Sequence, residues 1–454
     1  MVASELIAGA IGFVVIVHLA RRLGPPAFAR VEYAAAVAAW LLVVVRGGVD
    51  VIVIREAARR PRLVRPLTNI LIGLRCVAAM VGYAAVLGMA ALVGPARGPM
   101  VALAGLMLFP SAFVTDVGLR ASGRLRWLAC AQTFRAIGYA LVVLALVRGP
   151  DDAFRAAACL VAAEVLGTIV PLAIHTREHG FPRPWLRRRV ALVLARRGLI
   201  AGLIRFGRVS LYGADLLALG WWVGPELGTY AAARRLVFGL VALGLVVPAS
   251  VAPLIARGWA EGACSARGLI TDALGRLWTF SLPIAVGLAL TADRWMPLFF
   301  GASYQQGGPW LALVAARLPW LLTASFDQAA LVSCRREAWV LDQMLGLVAL
   351  AVLIIPLAVI CAGPWGVGWA ALLIEIVGAV GGWRRLARLG VAPPWDKTAG
   401  SALAGSLALA LVCLAARDWP FWAVTPAAAA AYAVTWHAAN TRWVSRRLGR
   451  GFAS

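Results

Sequence analysis

The chain has 454 residues, 62% of them hydrophobic and 14% charged, with a mean hydropathy of +0.83, where a soluble domain is about 45–50% apolar and about 25% charged. This balance excludes an ordinary soluble enzyme and a disordered chain, and leaves an integral membrane protein that crosses the bilayer many times. The net charge is +24, with 44 Lys+Arg against 20 Asp+Glu; in a polytopic chain that excess belongs in cytoplasmic loops beside anionic headgroups, not on a nucleic acid.

Apolar runs between charges and Gly/Pro breaks predict fourteen transmembrane helices. They fall at about 4–23, 31–54, 67–93, 99–119, 127–147, 154–174, 203–223, 228–256, 270–291, 309–333, 339–361, 365–386, 398–416 and 420–441. The first run has no basic segment before Leu6, so it reads as a span and not as a signal peptide. With residues at span ends counted in the adjoining loops, loops after even-numbered spans hold 29 Lys and Arg, loops after odd-numbered spans hold 8, and 7 arginines lie well inside spans. The split predicts that both termini are cytoplasmic. Trp127, Trp185, Trp259, Trp295, Trp339, Trp383 and Trp419 fall near the predicted interfaces, where tryptophan anchors helices.

The longest loop, 175–202, alternates Phe181, Trp185, Leu186 and Val190 with Arg183, Arg187, Arg188 and Arg189. It reads as an amphipathic helix on the inner leaflet that links two halves. His175 and His179 in it have i, i+4 spacing. Glu178 is the only other ligand nearby, so the loop is read as solvated and no metal site is assigned. None of the seven cysteines forms a C-x-x-C pair, and most lie in apolar runs, so they read as small hydrophobes. No cofactor is expected.

The halves repeat. Arg22-Leu23-Gly24-Pro25 follows the first span and Val223-Gly224-Pro225 follows the seventh, each leading into a long apolar helix. Two six-helix units that rock about a central site are a transporter signature. The predicted organisation is an N-terminal lobe over 1–174, the linker 175–202, a C-terminal lobe over 203–390, and two accessory helices with a basic tail over 391–454.

Several runs resemble one family. Ala20-Arg21-Arg22-Leu23-Gly24-Pro25-Pro26-Ala27-Phe28 and Ile54-Arg55-Glu56-Ala57-Ala58-Arg59 are similar to bacterial polysaccharide-biosynthesis flippases. So are Asp215-Leu216-Leu217-Ala218-Leu219-Gly220, Leu298-Phe299-Phe300-Gly301-Ala302-Ser303-Tyr304 and Gly366-Val367-Gly368-Trp369-Ala370-Ala371, in order from about 6 to 380. These flippases belong to the multidrug/oligosaccharidyl-lipid/polysaccharide exporter superfamily. The resemblance implies an all-α membrane protein of about fourteen helices, with two six-helix bundles around a V-shaped cavity and two extra C-terminal helices. It implies a flippase for a polyprenyl-pyrophosphate-linked oligosaccharide, a cavity lined by spans 1, 2, 7 and 8, and membrane lipids around it. Glycosyltransferases or a polysaccharide polymerase are the protein partners to test.

Arg46, Arg75, Arg135, Arg208, Arg234, Arg235 and Arg317 lie inside spans, each costing about 2.5–3.5 kcal/mol on insertion scales unless it finds a cavity or a partner. The substrate reading assigns Arg46, Arg234, Arg235, Arg208 and Arg22 to the pyrophosphate, which guanidinium groups fork onto. Arg75, Arg135 and Arg317 are expected near helix ends or paired with acids, with Arg317 and Asp327 as structural residues. Arg46 and Asp50, four residues apart, can pair, as can Arg208 and Asp215 two turns apart. Asp50, Asp215 and His18 are the candidates for ion coupling. Two other functions stay open: a cation-coupled multidrug exporter of the same fold, and a membrane glycosyltransferase or polymerase. An enzyme would need an acidic catalytic loop. The largest outer loop, 292–308, carries only Asp293, so the reading is not an enzyme.

Overall fold

The computed structural model describes residues 2–95, 97–222, 226–393, 395–416 and 418–451, and among them there is no strand. The chain divides into two compact units, one of residues 1–232 with 344–367 and one of 233–343 with 368–454.

The first unit opens with α1 (Val2–Arg46), which contains the first predicted span and most of the second. Gly24 divides it with φ 69°, ψ 169°, a conformation open to glycine, and Pro25 and Pro26 then start the second half with φ already helical. Val15, Leu19, Leu23, Phe28, Val31, Ala34, Ala38, Leu41 and Val45 are buried along α1. This stripe, at helical spacing, makes α1 the element on which most of its unit packs. A Cβ at Gly228 would sit 1.9 Å from the Pro25 carbonyl oxygen, so Gly228 is fitted against the first Gly-Pro turn. The second turn, Gly224-Pro225, lies outside the described residues.

The predicted second span breaks before its end. Gly47 has φ 48° and α2 (Val49–Arg59) starts afresh, with Gly48 in backbone contact with Gly198 and Gly202. Next come α3 (Val64–Val93) and three short helices in place of the fourth span, α4 (Gly98–Gly105), α5 (Leu108–Ala112) and α6 (Val117–Ala121). Pro110 has no N–H to offer the Leu106 carbonyl, and residues 113–116 are not helical. The pair α7 (Leu125–Leu146) and α8 (Ala153–His179) packs closely. Residues 180–187 are not helical, and α9 (Arg188–Trp222) follows. The linker is therefore not one amphipathic helix. Pro182 and Pro184 prevent it, and the segment is pinned to α3 by Arg183 N–H to Asn69 Oδ1 at 3.1 Å and Trp185 N–H to Asn69 O at 3.2 Å.

The eighth predicted span is two helices, α10 (Leu227–Gly244) and α11 (Val246–Glu261). Pro248 cannot donate to the Gly244 carbonyl, and the helix breaks there. In the second unit α12 (Ala263–Leu290) is central, burying Ile270, Leu274, Leu277, Ser281, Ala285 and Leu288. The outer loop predicted at 292–308 is ordered as α13 (Ala292–Phe300) and a 3-10 turn over Ala302–Gly307. The tenth span is α14 (Gly308–Ala316) and α15 (Leu318–Ser333), broken at Arg317 where Pro319 has no N–H to offer the Ala315 carbonyl. Spans eleven and twelve form α16 (Glu337–Arg388), divided at Gly363 (φ 59°, ψ −144°) before Pro364. The last two are α17 (Trp395–Ala415) and α18 (Phe421–Gly451).

All fourteen predicted spans therefore fall on helix. Among the described residues eight helical runs are long and apolar enough to cross a membrane, and two of them, Ile7–Arg59 and Glu337–Arg388, each hold two predicted spans.

Candidate anion-binding site

The helix breaks of the first unit place its intramembrane charges. Because Gly47 leaves the helical conformation, Arg46 and Asp50 no longer share a helix face, and their expected pairing does not form. Arg46 Nη2 instead donates to Glu164 Oε2 on α8 at 2.8 Å, and Asp50 Oδ1 accepts from Arg75 Nη2 on α3 at 2.7 Å. Arg75 Nη1 also donates to the Val114 carbonyl at 2.6 Å, an oxygen that the break between α5 and α6 leaves without a helical partner. The side chain of Arg75 is 3% exposed.

Glu164 takes a second arginine. Arg135 Nη2 on α7 donates to Oε1 at 2.8 Å. Its aliphatic stem lies over Gly167, where a Cβ would come within 2.8 Å of Arg135 Cδ. Glycine one turn beyond Glu164 therefore lets Arg135 cross α8 at close range. The Thr168 hydroxyl donates to the Glu164 carbonyl at 2.8 Å and lies 3.0 Å from that of Pro110, tying this turn of α8 to α5. Arg135 and Glu164 line a cleft of about 380 Å³ with Gln132, Tyr139, Gly12 and Ala163. The charges of Arg135, Arg75 and Arg205 all bear on Arg46. Arg46, Arg75, Arg135 and Arg205 thus outnumber the carboxylates Glu164, Asp50 and Asp116 in this part of the first unit.

The other predicted residues lie elsewhere. Arg22 is exposed, two residues before the Gly24 turn, and Arg208 is exposed on α9. His18 Nε2 lies 3.2 Å from the Val147 carbonyl at the end of α7. Asp215 is buried on α9, accepting the Tyr230 hydroxyl at 2.6 Å and its neighbour Leu216 N–H at 2.7 Å. Arg234 and Arg235 belong to the second unit, half-buried on α10, with the Arg234 guanidinium 4.3 Å from the centre of the Phe238 ring, a cation–π distance.

Arg317 pairs with an acid in the second unit. Arg317 Nη2 donates to Glu375 Oε1 on α16 at 3.4 Å. Asp327 is fully buried, and neither of its carboxylate oxygens has a hydrogen-bond partner among the described residues. It packs on Gly382, where a Cβ would meet its side chain. His175 and His179 stack with ring centres 5.0 Å apart, and no group of three metal-binding side chains converges among the described residues.

Sequence reasoning set Arg135 aside and did not reach Glu164 as a site residue. The available signal was the pattern itself, a buried-span glutamate with an arginine inside each of two other spans.

The architecture is that of the exporters of the multidrug/oligosaccharidyl-lipid/polysaccharide superfamily, an all-α membrane fold. The chain superposes on the lipid II flippase MurJ in an inward closed conformation with a TM-score of 0.64 at 12% identity, covering 97% of this chain and 99% of that one. An inward-facing multidrug resistance transporter of the same superfamily matches with a TM-score of 0.63 at 12% identity, over 84% of this chain and 95% of that one. A superfamily transporter from Pyrococcus furiosus, described as having a binding pocket of reversed polarity, matches with a TM-score of 0.56 at 13% identity, over 86% and 95%. No curated protein sequence matches the chain. The chain belongs to the family of polysaccharide biosynthesis proteins, whose family model matches residues 1–259.

Proposed function

We propose that the protein is a flippase that carries a polyprenyl-pyrophosphate-linked oligosaccharide across the bacterial cytoplasmic membrane by alternating access, for cell-surface polysaccharide synthesis. The observation that carries this reading is the arginine excess around Glu164 inside apolar helices. Such charges are costly in a bilayer and mark the path of a charged substrate. A diphosphate is the anion that forked guanidinium groups hold best. The lipid tail stays in the bilayer while the head group crosses, so no covalent step and no cofactor is required, and the protein is not an enzyme.

Arg46 is the first head-group contact, with Arg234, Arg235, Arg208 and Arg22 as further contacts. Asp50, Asp215 and His18 are the candidate coupling groups. Alternating access needs two bodies that move against each other, which the repeat supplies as lobes over 1–174 and 203–390, with 175–202 as linker and 391–454 as the accessory helices. The arginine distribution puts both termini in the cytoplasm. Glycosyltransferases or a polymerase that make and use the sugar are the partners this role calls for.

The test is reconstitution. A fluorescent polyprenyl-pyrophosphate oligosaccharide is placed in one leaflet of proteoliposomes and its appearance in the other is followed. Protein-dependent movement supports the flippase. Efflux of a cationic dye without lipid movement makes the protein a multidrug exporter, and conversion of the lipid without movement makes it a transferase or polymerase.

A further inference from the structure

The pair of arginines on Glu164 specifies more than a positive patch. Arg46 and Arg135 come from different helices, α1 and α7, and each donates to a different oxygen of one carboxylate at 2.8 Å. Two guanidinium charges thus share a single negative charge. The carboxylate is deep, with its side chain 4% exposed, while Arg46 is 27% and Arg135 43% exposed. Arg135 and Glu164 both line the adjoining cleft, Arg46 does not, and Arg46 Nε is buried without a partner among the described residues.

The cleft beside them, about 380 Å³, is at the small end of the range for ligand cavities. It suits a compact anion and is too small for an oligosaccharide. Its walls combine two neutral hydrogen-bonding side chains, Gln132 and Tyr139, with small residues such as Ala8, Gly12 and Ala163. Gly167 leaves the Arg135 stem room to lie flat on α8.

We propose that this cleft seats the diphosphate of the lipid-linked substrate, and that Glu164 is its built-in competitor. The inference rests on the flippase reading. In the empty protein Glu164 occupies the arginines and offsets their burial. A diphosphate entering from the cleft takes over the outer N–H groups of Arg135, the arginine on its wall, and weakens that arginine's hold on Glu164, since both anions call on the same donors. When the head group leaves, the carboxylate reclaims Arg135. Glu164 thereby holds the affinity for the diphosphate low enough for release, a setting that an uncompensated arginine pair would lack.

The test uses the full chain in lipid nanodiscs, with a polyprenyl pyrophosphate and the matching uncharged polyprenol as probes. The wild type binds the pyrophosphate in preference to the polyprenol. Glu164→Gln removes the competing charge and binds the pyrophosphate about tenfold more tightly, with polyprenol binding unchanged. Its lipid movement in proteoliposomes is slower because release becomes limiting. Arg135→Gln loses about tenfold in pyrophosphate affinity. Should Glu164→Gln fail to fold, Glu164→Asp keeps the charge on a shorter stem that cannot span both arginines, and it tightens pyrophosphate binding by a few-fold. A folded Glu164→Gln that binds no more tightly overturns the competitor role. Pyrophosphate preference unchanged in both Arg135→Gln and Glu164→Gln overturns the seat while leaving the flippase reading standing. A wild type that does not prefer the pyrophosphate overturns the substrate reading and the seat with it.

Discussion

The two compact units treat their intramembrane charges differently. In the first, Glu164 is shared by two arginines that keep part of their surface open, one of them on a cleft. In the second, Arg317 and Glu375 are sealed together, 2% and 8% exposed, and Asp327 is buried with neither oxygen partnered among the described residues. A closed pair holds a fold in place, and an open, over-supplied cation cluster can exchange its partner for an anion from outside. On the proposed reading the same residue types serve packing in one unit and recognition in the other, and exposure together with stoichiometry separates the two roles.

The largest expected effect falls on the sealed pair. Arg317→Ala removes the charge that offsets Glu375 and should cost about 3–5 kcal/mol of stability, read as a large drop in the melting temperature of the purified protein. Arg135→Ala should cost much less, because Glu164 keeps Arg46 and the lost side chain is 43% exposed. Equal losses in the two variants would erase the distinction. A smaller effect is expected at Gly167→Ala. The added methyl must displace the Arg135 stem, an overpacking cost of about 1–3 kcal/mol, and lipid movement should fall several-fold while the melting temperature shifts little. An unchanged rate would show that the placement of Arg135 over α8 does not matter to transport. The smallest effect is expected at Asp327→Asn. The amide has the shape of the acid without its charge, so stability should hold or rise slightly and transport should stay within about twofold of wild type. Loss of transport with a normal melt would make Asp327 a working group and give the second unit a site of its own.

Much of the membrane architecture was legible in the residues. Apolar runs located the helices on which all fourteen predicted spans fall, because bilayer thickness acts on local composition. The joints were harder to read. The helix breaks at Leu245 and Arg317 follow from Pro248 and Pro319, and Pro182 and Pro184 already spoke against a helix in the linker, where the alternation of aromatic and basic residues outweighed them in the sequence reading. The charge partners were the least legible. Arg46 and Asp50 have ideal helical spacing, yet Gly47 with φ 48° cancels it. The partner that Arg46 takes, Glu164, is 118 residues away and is reached only once α1 and α8 are packed. For Arg317 the sequence called for an acid without naming it, and Glu375, 58 residues beyond, forms the pair. Local spacing predicts contacts within a continuous helix, and each of these pairings crosses a break or a tertiary contact.

The most direct test of the account is lipid movement by Arg46→Ala in proteoliposomes, measured beside wild type at equal amounts of reconstituted protein with a fluorescent polyprenyl-pyrophosphate oligosaccharide. The account predicts a fall of about tenfold or more in rate, from the loss of one charge-assisted contact to the diphosphate, with the protein still folded because Glu164 retains Arg135. Movement at the wild-type rate would contradict it, leaving the arginines on Glu164 as packing and the recognition site to be sought elsewhere in the chain.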